Sequence, residues 1–338
     1  MESLTLWLQL VVVTGAILVA ARYLTKSADV IAEKTGLGRS FAGVVLLATA
    51  TSLAELGTGV SSIVLLDEPD LAAGAVFGSN LVNLLIIAVA DLYWRNGPIL
   101  TAIGTASVLV GAGGIAIIGL ATFAVFIHTT SSGFEGWLVS PITLIIGGMF
   151  LGSMWLIHIH KDITVLGEEP LEEKQLYGGY SLGRAAATFG VATLVVLGSS
   201  VWLASVGDQL ADVMGWEKSF VGSQFLAFST SLPEIATTWA AIKLNAPEMA
   251  ITNLLGSNVF NMGLVLVVND LVYVDGVLWR DVSQTHMLAG LMAIILTCVV
   301  IAAILTRPRG RLGKVWTVDG VVITTTYVAA SVLFFNLA

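Results

Sequence analysis

Glu55 and Glu234 stand 179 positions apart, each inside a run that is otherwise apolar or hydroxylic. A carboxylate at membrane depth is costly unless it is paired or holds an ion. No Lys or Arg in a long apolar run is placed to pair with either one. Around them lie Thr49, Thr51, Ser52 and Thr58, and Ser229, Thr230, Ser231 and Thr237, all hydroxyl donors of oxygen. Asn83 and Asn261 add amide oxygens. This all-oxygen set suits a hard cation such as Ca²⁺ or Na⁺, Ca²⁺ taking about six to eight oxygens. A transition metal would call for His or Cys, and neither segment contains one.

The two segments are one segment written twice. Aligning 39–66 on 218–245 gives 12 identities in 28 positions, against about two by chance, as an internal duplication would. The shared landmarks are Thr51-Ser52-Leu53-Ala54-Glu55 with Thr230-Ser231-Leu232-Pro233-Glu234, and Gly78-Ser79-Asn80 through Asn83 with Gly256-Ser257-Asn258 through Asn261. Ser79 and Ser257 are 178 apart, so one gap in the intervening loop aligns both halves.

Composition sets the solvent in which these residues work. The chain is 56% hydrophobic and 11% charged, far below the roughly 25% charged of a soluble protein. Ten apolar runs are long enough to cross a bilayer: about 4–24, 40–66, 71–93, 99–127, 136–158, 185–206, 219–243, 246–272, 282–306 and 314–337. They are continuous rather than short and alternating, which favours helices over the strands of a membrane barrel. The expected fold is therefore all-α and integral to the membrane. It has ten transmembrane helices in two five-helix repeats, 1–158 and 185–338, joined by a cytoplasmic connecting loop at 159–184. Before the first run stands Glu2 and no basic residue, so that run reads as a membrane helix rather than a signal peptide. Cys298 is the single cysteine and excludes an intrachain disulfide.

Basic residues fix the expected orientation. The loops after the odd-numbered runs hold 13 of the 15 Lys and Arg residues, leaving only Lys218 and Arg280 opposite. The positive-inside rule then puts both termini outside a cell (inner) membrane, which the chain crosses many times. An odd number of helices per half inverts the second repeat, a symmetry that places a shared site near the bilayer midplane. The net charge of −8 argues against a nucleic-acid partner. No obligate protein partner is evident, and no cofactor or catalytic residue is expected.

Helix breaking should add carbonyl ligands. Pro233 cannot donate to the turn before it, and Ala227, with Ala48 as its counterpart, is placed to offer a carbonyl oxygen. The Gly-Ser-Asn triplets are expected to let the third and eighth runs approach closely. Plainer explanations exist for single residues. A hydroxyl run in a membrane helix is often packing with back-bonding to the preceding turn, and Asn83 and Asn261 could be interhelical hydrogen-bond glue. Asp91 and Asp270 read as interfacial, His158 and His160 as a solvated helix end, and His128 and His286 have no assignment.

Thr-Ser-Leu-Pro-Glu followed by Gly-Ser-Asn-x-x-Asn, present twice in inverted halves, resembles the cation/Ca²⁺ exchanger superfamily, and within it the prokaryotic sodium/calcium exchangers. The resemblance implies an ion-binding core from the second, third, seventh and eighth helices, with long, tilted, mobile first and sixth helices. It implies ion ligation by Glu55, Glu234, Thr51, Ser52, Thr230, Ser231, Ser79, Ser257, Asn83 and Asn261, and by the carbonyls of Ala48 and Ala227. The chain departs from the family in three places. Ala54 replaces the motif proline, which leaves the break in the second helix without that cause. Gly74-Ala75 and Thr252-Asn253 stand where Gly-Asn is usual. Asn261 stands where the K⁺-dependent branch carries Asp, which argues against K⁺ coupling.

The residues and the resemblance together give a secondary active cation antiporter, exchanging Na⁺ for Ca²⁺ by alternating access. The alternatives are an H⁺-coupled or Mg²⁺-handling antiporter and, in different classes, a passive cation channel or a non-transporting receptor. The orientation makes the first prediction. A cysteine at Asp67 should react with an impermeant thiol reagent on intact cells, and one at Ser181 only after permeabilisation; the reverse pattern would refute the helix count or the orientation.

Overall fold

The structure is a computed structural model that describes residues 2–35, 48–104, 106–131, 138–159, 177–243, 245–308, 310–312 and 315–337. Residues 39–43 of the first repeat, most of the 159–184 loop with His160, and Lys161, Lys174, Arg309 and Lys314 lie outside the described residues. Among the described residues the regular structure is helical, apart from one isolated bridge between Leu312 and Trp316.

Among the described residues, eight helices are long and apolar enough to cross a membrane. They are α1 (Glu2–Thr35), α4 (Pro69–Tyr93), α5 (Ala106–Thr130), α6 (Pro141–Ile159), α7 (Leu182–Met214), the pair α11 (Pro247–Phe260) and α12 (Leu266–Val272), α14 (Thr285–Thr306) and α15 (Val318–Leu337). Leu4, Leu8, Leu144, Leu151, Trp155, Leu194, Val328 and Val332 are exposed on them, as lipid-facing side chains should be.

The second and seventh apolar runs depart from the expectation of continuous helices. The second appears as α2 (Ala48–Thr51) and α3 (Leu53–Val64), separated at Ser52. The seventh is α8 (Lys218–Val221), a π-helical turn at Gly222–Leu226, α9 (Ala227–Thr230) and α10 (Leu232–Lys243), with the break at Ser231. Ser52 and Ser231 have nearly the same backbone angles, φ −73°, ψ 0° and φ −82°, ψ 3°. The break in the second run thus forms with Ala54 and no proline. A common cause is available: Thr51 Oγ donates to the carbonyl of Ala48 at 3.3 Å, and Thr230 Oγ to Leu226 and Ala227 at 3.0 and 3.3 Å. Such back-bonding competes with the helix ladder and bends it.

A second π-helical turn, Asn261–Val265, separates α11 from α12, whereas α4 runs through the matching stretch without one. It inserts one extra residue. The separation of matching residues accordingly grows from 178 at Asn83 and Asn261 to 179 at Asp91 and Asp270. These two aspartates, near the ends of their helices, are buried in the protein. Asp91 accepts from the backbone N–H of Ile99 at 2.7 Å and Asp270 from that of Leu278 at 2.8 Å, each tying a helix end to the segment eight residues on. Arg311 closes the Asp91 end, bonding its side chain at 3.3 Å and the carbonyls of Asp91, Trp94 and Gly97.

The main apolar core is built from α4, α5, α6, α11, α12, α14 and α15. A second cluster joins Leu6, Leu10, Val13 and Ile17 of α1 to Val196, Leu203, Val206 and Leu210 of α7, and both helices to Ala54, Leu71, Ala75, Val221 and Leu226. These are the two longest helices, 34 and 33 residues, or roughly 50 Å each at 1.5 Å per residue, so they must tilt or protrude from a ~30 Å hydrocarbon core. Lys218 at the start of α8 pairs with Asp208 and Asp212 of α7 and, at 3.7 Å, with Glu68 before α4.

Helix α4 touches the seventh run backbone to backbone. A Cβ on Gly78 would meet the Ser223 carbonyl oxygen and the Ala227 side chain, and one on Gly222 would lie 2.6 Å from the Leu71 carbonyl. The close approach at Gly78 is therefore to the seventh run, and not, as the triplets suggested, to the eighth. Because the obstacle is backbone, overpacking here cannot be relieved by a rotamer change. Gly78→Ala should lower the melting temperature in detergent by on the order of 5 °C. Gly148→Ala, where nothing lies within 4 Å, should leave it unchanged.

Candidate ion-binding site

The twelve residues singled out in the sequence are all buried, none more than 4% exposed. Glu55, one turn after the break at Ser52, accepts from Ser79 Oγ at 3.2 Å. Ser79 Oγ also lies 3.3 Å from Thr230 Oγ and 3.4 Å from the Ala227 carbonyl oxygen. The second carboxylate repeats the pattern with the halves exchanged. Thr51 and Ser257 flank Glu234, and their hydroxyls are 3.3 Å apart. Each carboxylate is thus flanked by a serine of its own half and a threonine of the other.

The breaks at Ser52 and Ser231 put each serine directly before the turn that carries its glutamate. Neither hydroxyl has a hydrogen-bond partner. The carbonyls need a correction of cause. Ala48 and Ala227 are not freed by a proline, since they accept from the N–H of Ser52 at 2.9 Å and Ser231 at 3.0 Å. The carbonyl that loses its helical donor to Pro233 belongs to Ser229, four residues back. Ala227 instead turns its second lone pair toward Ser79 and Thr230.

The two asparagines are held by two others whose role the sequence reading missed. Asn83 Nδ2 donates to Asn258 Oδ1 at 2.9 Å, and Asn261 Nδ2 to Asn80 Oδ1 at 3.4 Å. Asn258 Nδ2 in turn donates to the Asn80 carbonyl at 3.3 Å. With its nitrogen engaged, each amide leaves its oxygen available: Asn83 Oδ1 and Asn261 Oδ1 are buried without a partner. The signal was present in the sequence, because Asn80 and Asn258 recur at matching positions, but it was read as close packing.

An unusual concentration of unsatisfied acceptors results. Glu55 Oε2, both Glu234 oxygens, the two asparagine oxygens and the Ser52 and Ser231 hydroxyls all lack partners. Each orphaned buried polar group costs about 1–3 kcal/mol, more for a charge. A cation among these oxygens would satisfy them together. No group of three His, Cys, Asp or Glu side chains comes together among the described residues. The unassigned histidines lie elsewhere: His128 Nε2 is 2.8 Å from Ser140 Oγ, and His286 Nε2 is 3.0 Å from Asp70 while its ring stacks on Phe77. His158 is exposed near the end of α6.

The model of the family described as "Sodium/calcium exchanger protein" matches this chain twice, over residues 5–157 and 184–336. The chain belongs to that family. Among its relatives, the inner membrane protein YrbG of Escherichia coli K12 is 24% identical over 275 residues, spanning 75% of this chain and 76% of YrbG. The sodium/calcium exchanger MaX1 of Methanosarcina acetivorans is 23% identical over 347 residues, 93% of this chain and 94% of MaX1. Among solved structures, the sodium-calcium exchanger NCX_Mj superposes with a TM-score of 0.60 at 16% identity, over 98% of both chains. The H⁺/Ca²⁺ exchanger CAX gives 0.68 at 12% identity, over 98% of this chain and 86% of its own. At these identities the two structures establish a shared exchanger fold.

The asparagine lattice yields a prediction. Asn258→Ala removes the acceptor of Asn83 Nδ2 and frees that amide to rotate. Groups that orient ligands from behind are worth about 10–100-fold in affinity, so ⁴⁵Ca²⁺ binding to the purified variant should weaken by about tenfold while the protein stays folded. Unchanged affinity would remove Asn258 from the support of the site.

Proposed function

We propose that this chain is a secondary active antiporter that exchanges Na⁺ for Ca²⁺ at a midplane site formed by the second, third, seventh and eighth runs. The reading includes ten membrane crossings in two inverted five-helix repeats, 1–158 and 185–338, with both termini outside. The observation that carries it is the pair of buried carboxylates, with no basic partner among the described residues, set beside the Ser52 and Ser231 hydroxyls and the Asn83 and Asn261 amide oxygens, which lack hydrogen bonds. The double match of the family and the crossed pairing of the halves support the repeat. The extensive packing of α1 on α7 supports their movement as a unit across the rest.

Charge supplies the mechanism. With Glu55 and Glu234 both ionised the site holds two negative charges, which either one Ca²⁺ or two Na⁺ would balance. The two loads compete for the same oxygens, so binding one displaces the other. A site left half-filled carries net charge into low dielectric, and that cost holds α1 and α7 in place until the site is loaded. Loading from one face and release at the other then follow from which face α1 and α7 leave open. Asn261 contributes one neutral oxygen where an aspartate would contribute a charge. A K⁺ bound together with Ca²⁺ would therefore leave an uncompensated positive charge, and K⁺ has no place in the cycle.

The test is ⁴⁵Ca²⁺ flux into proteoliposomes holding the purified protein. An outward Na⁺ gradient should drive uptake with or without K⁺. Glu55→Gln or Glu234→Gln should cut it by on the order of 100-fold or more without unfolding the protein. Wild-type flux in either variant would sink the assignment of that carboxylate. Uptake driven by a pH gradient and indifferent to Na⁺ would replace Na⁺ with H⁺ as the coupling ion. Unitary conductance in a planar bilayer would replace the antiporter with a channel.

A further inference from the structure

The largest unexplained polar group lies outside the twelve residues. Asn269, on α12, is fully buried, and neither its Oδ1 nor its Nδ2 has a partner. Two further orphans lie on the facing helix α3: Thr58 Oγ and Ser62 Oγ, both on fully buried residues. Between them Gly59 makes room. A Cβ there would come within 2.6 Å of Asn269 Nδ2 and 2.8 Å of Oδ1, so the amide lies flat against the glycine. At 100° per residue, Glu55, Thr58, Gly59 and Ser62 share one face of α3 within about 100° of arc. Ser62 stands seven residues beyond Glu55, or about 10 Å along the axis, toward the Leu65–Glu68 turn.

The other half is built differently at the matching place. Thr237, which matches Thr58, accepts from Asn253 Nδ2 at 2.9 Å, and Thr238, Ala241 and Ala90 match Gly59, Ser62 and Asn269. Asn253 Oδ1 and Thr238 Oγ are unpartnered there, but no amide stands in the place of Asn269, and the symmetry that builds the central site is broken at that residue.

We propose that Thr58, Ser62 and Asn269 form a hydrated way station for Na⁺ on the route between Glu55 and the face that carries the Leu65–Glu68 turn. The chemistry selects the occupant. Three neutral oxygens and no carboxylate cannot replace the hydration of a divalent cation, which demands charged ligands. They can replace part of the shell of a monovalent one. The unpartnered Nδ2 of Asn269 cannot ligate a cation, and it donates instead to a water that the ion keeps. A Na⁺ arriving from this face therefore exchanges some of its water for protein oxygen before it reaches the carboxylates. From the opposite face it does so without Asn269.

The inference rests on the exchange reading, and its test separates the two. Half-saturating Na⁺ is measured at each face, using intact cells and inverted vesicles. Asn269→Leu should raise it about tenfold at the face of the Leu65–Glu68 turn, the loss of one ion-directed contact. The opposite face, and equilibrium ⁴⁵Ca²⁺ binding without Na⁺, should change less than twofold. Asn269→Ser should recover most of the loss. Equal changes at both faces, or no change, would overturn the proposal, whereas absence of Na⁺-driven flux in the wild type would overturn the exchange reading instead. A second measurement stands without flux. On a Cys298→Ala background, Ser62→Cys should react with an impermeant thiol reagent from the same face despite its burial. Na⁺ should slow the reaction and choline should not. No reaction under any ionic condition would show that the station is dry.

Discussion

Two carboxylates without a cationic partner, held where water is scarce, constrain everything around them. A buried ionised group must be neutralised or solvated, and among the described residues no Lys or Arg pairs with Glu55 or Glu234. Several features of the fold follow from that requirement. The helices carrying the carboxylates are interrupted one turn before them, which aims hydroxyls and carbonyls at a single place. The asparagines are fixed through their nitrogens so that their oxygens remain available. The glycines on α4 and the seventh run let backbones touch, which brings Ser79 within reach of Ala227 and Thr230.

Many of the polar contacts at the site cross between the halves. Thr230 lies by Ser79, Thr51 by Ser257, Asn258 holds Asn83 and Asn80 holds Asn261. A single half could not satisfy its own polar groups, so burial of these residues and association of the halves are one event. In membrane interiors, where apolar surface gains little by moving from lipid to protein, such hydrogen bonds and close packing carry much of the association.

Symmetry is strict at the centre and relaxes away from it. The breaks at Ser52 and Ser231 have nearly the same backbone angles, although alanine stands two residues after one and proline two residues after the other. Beyond them the halves diverge: a π-helical turn opens at Asn261 but not at Asn83, and Asn269 packs on Gly59 where its counterparts are Ala90 and Thr238. The apolar cluster between α1 and α7 also takes in Ala54, Leu71, Ala75, Val221 and Leu226, so those two helices pack directly on the runs that carry the carboxylates.

The membrane class, the duplicated segment and the two carboxylates were legible in the sequence, because each depends on composition or on local repetition. Hydrophobic run length reports directly on bilayer thickness, and a glutamate in such a run stands out against its neighbours. Which groups satisfy one another was not legible. That Thr51 meets Ser257, that Asn258 holds Asn83, and that Gly78 rests on Ser223 rather than on the eighth run depend on contacts between residues roughly 145–205 positions apart. The break at Ser52 was hidden too, since its cause is a threonine hydroxyl turned onto a carbonyl rather than a proline visible in the motif. Asp91 and Asp270 looked interfacial because they end apolar runs, yet the turns that follow fold back over them and take up their oxygens. A sequence shows which polar groups enter the membrane; only the packed helices decide which of them find partners and which are left for an ion.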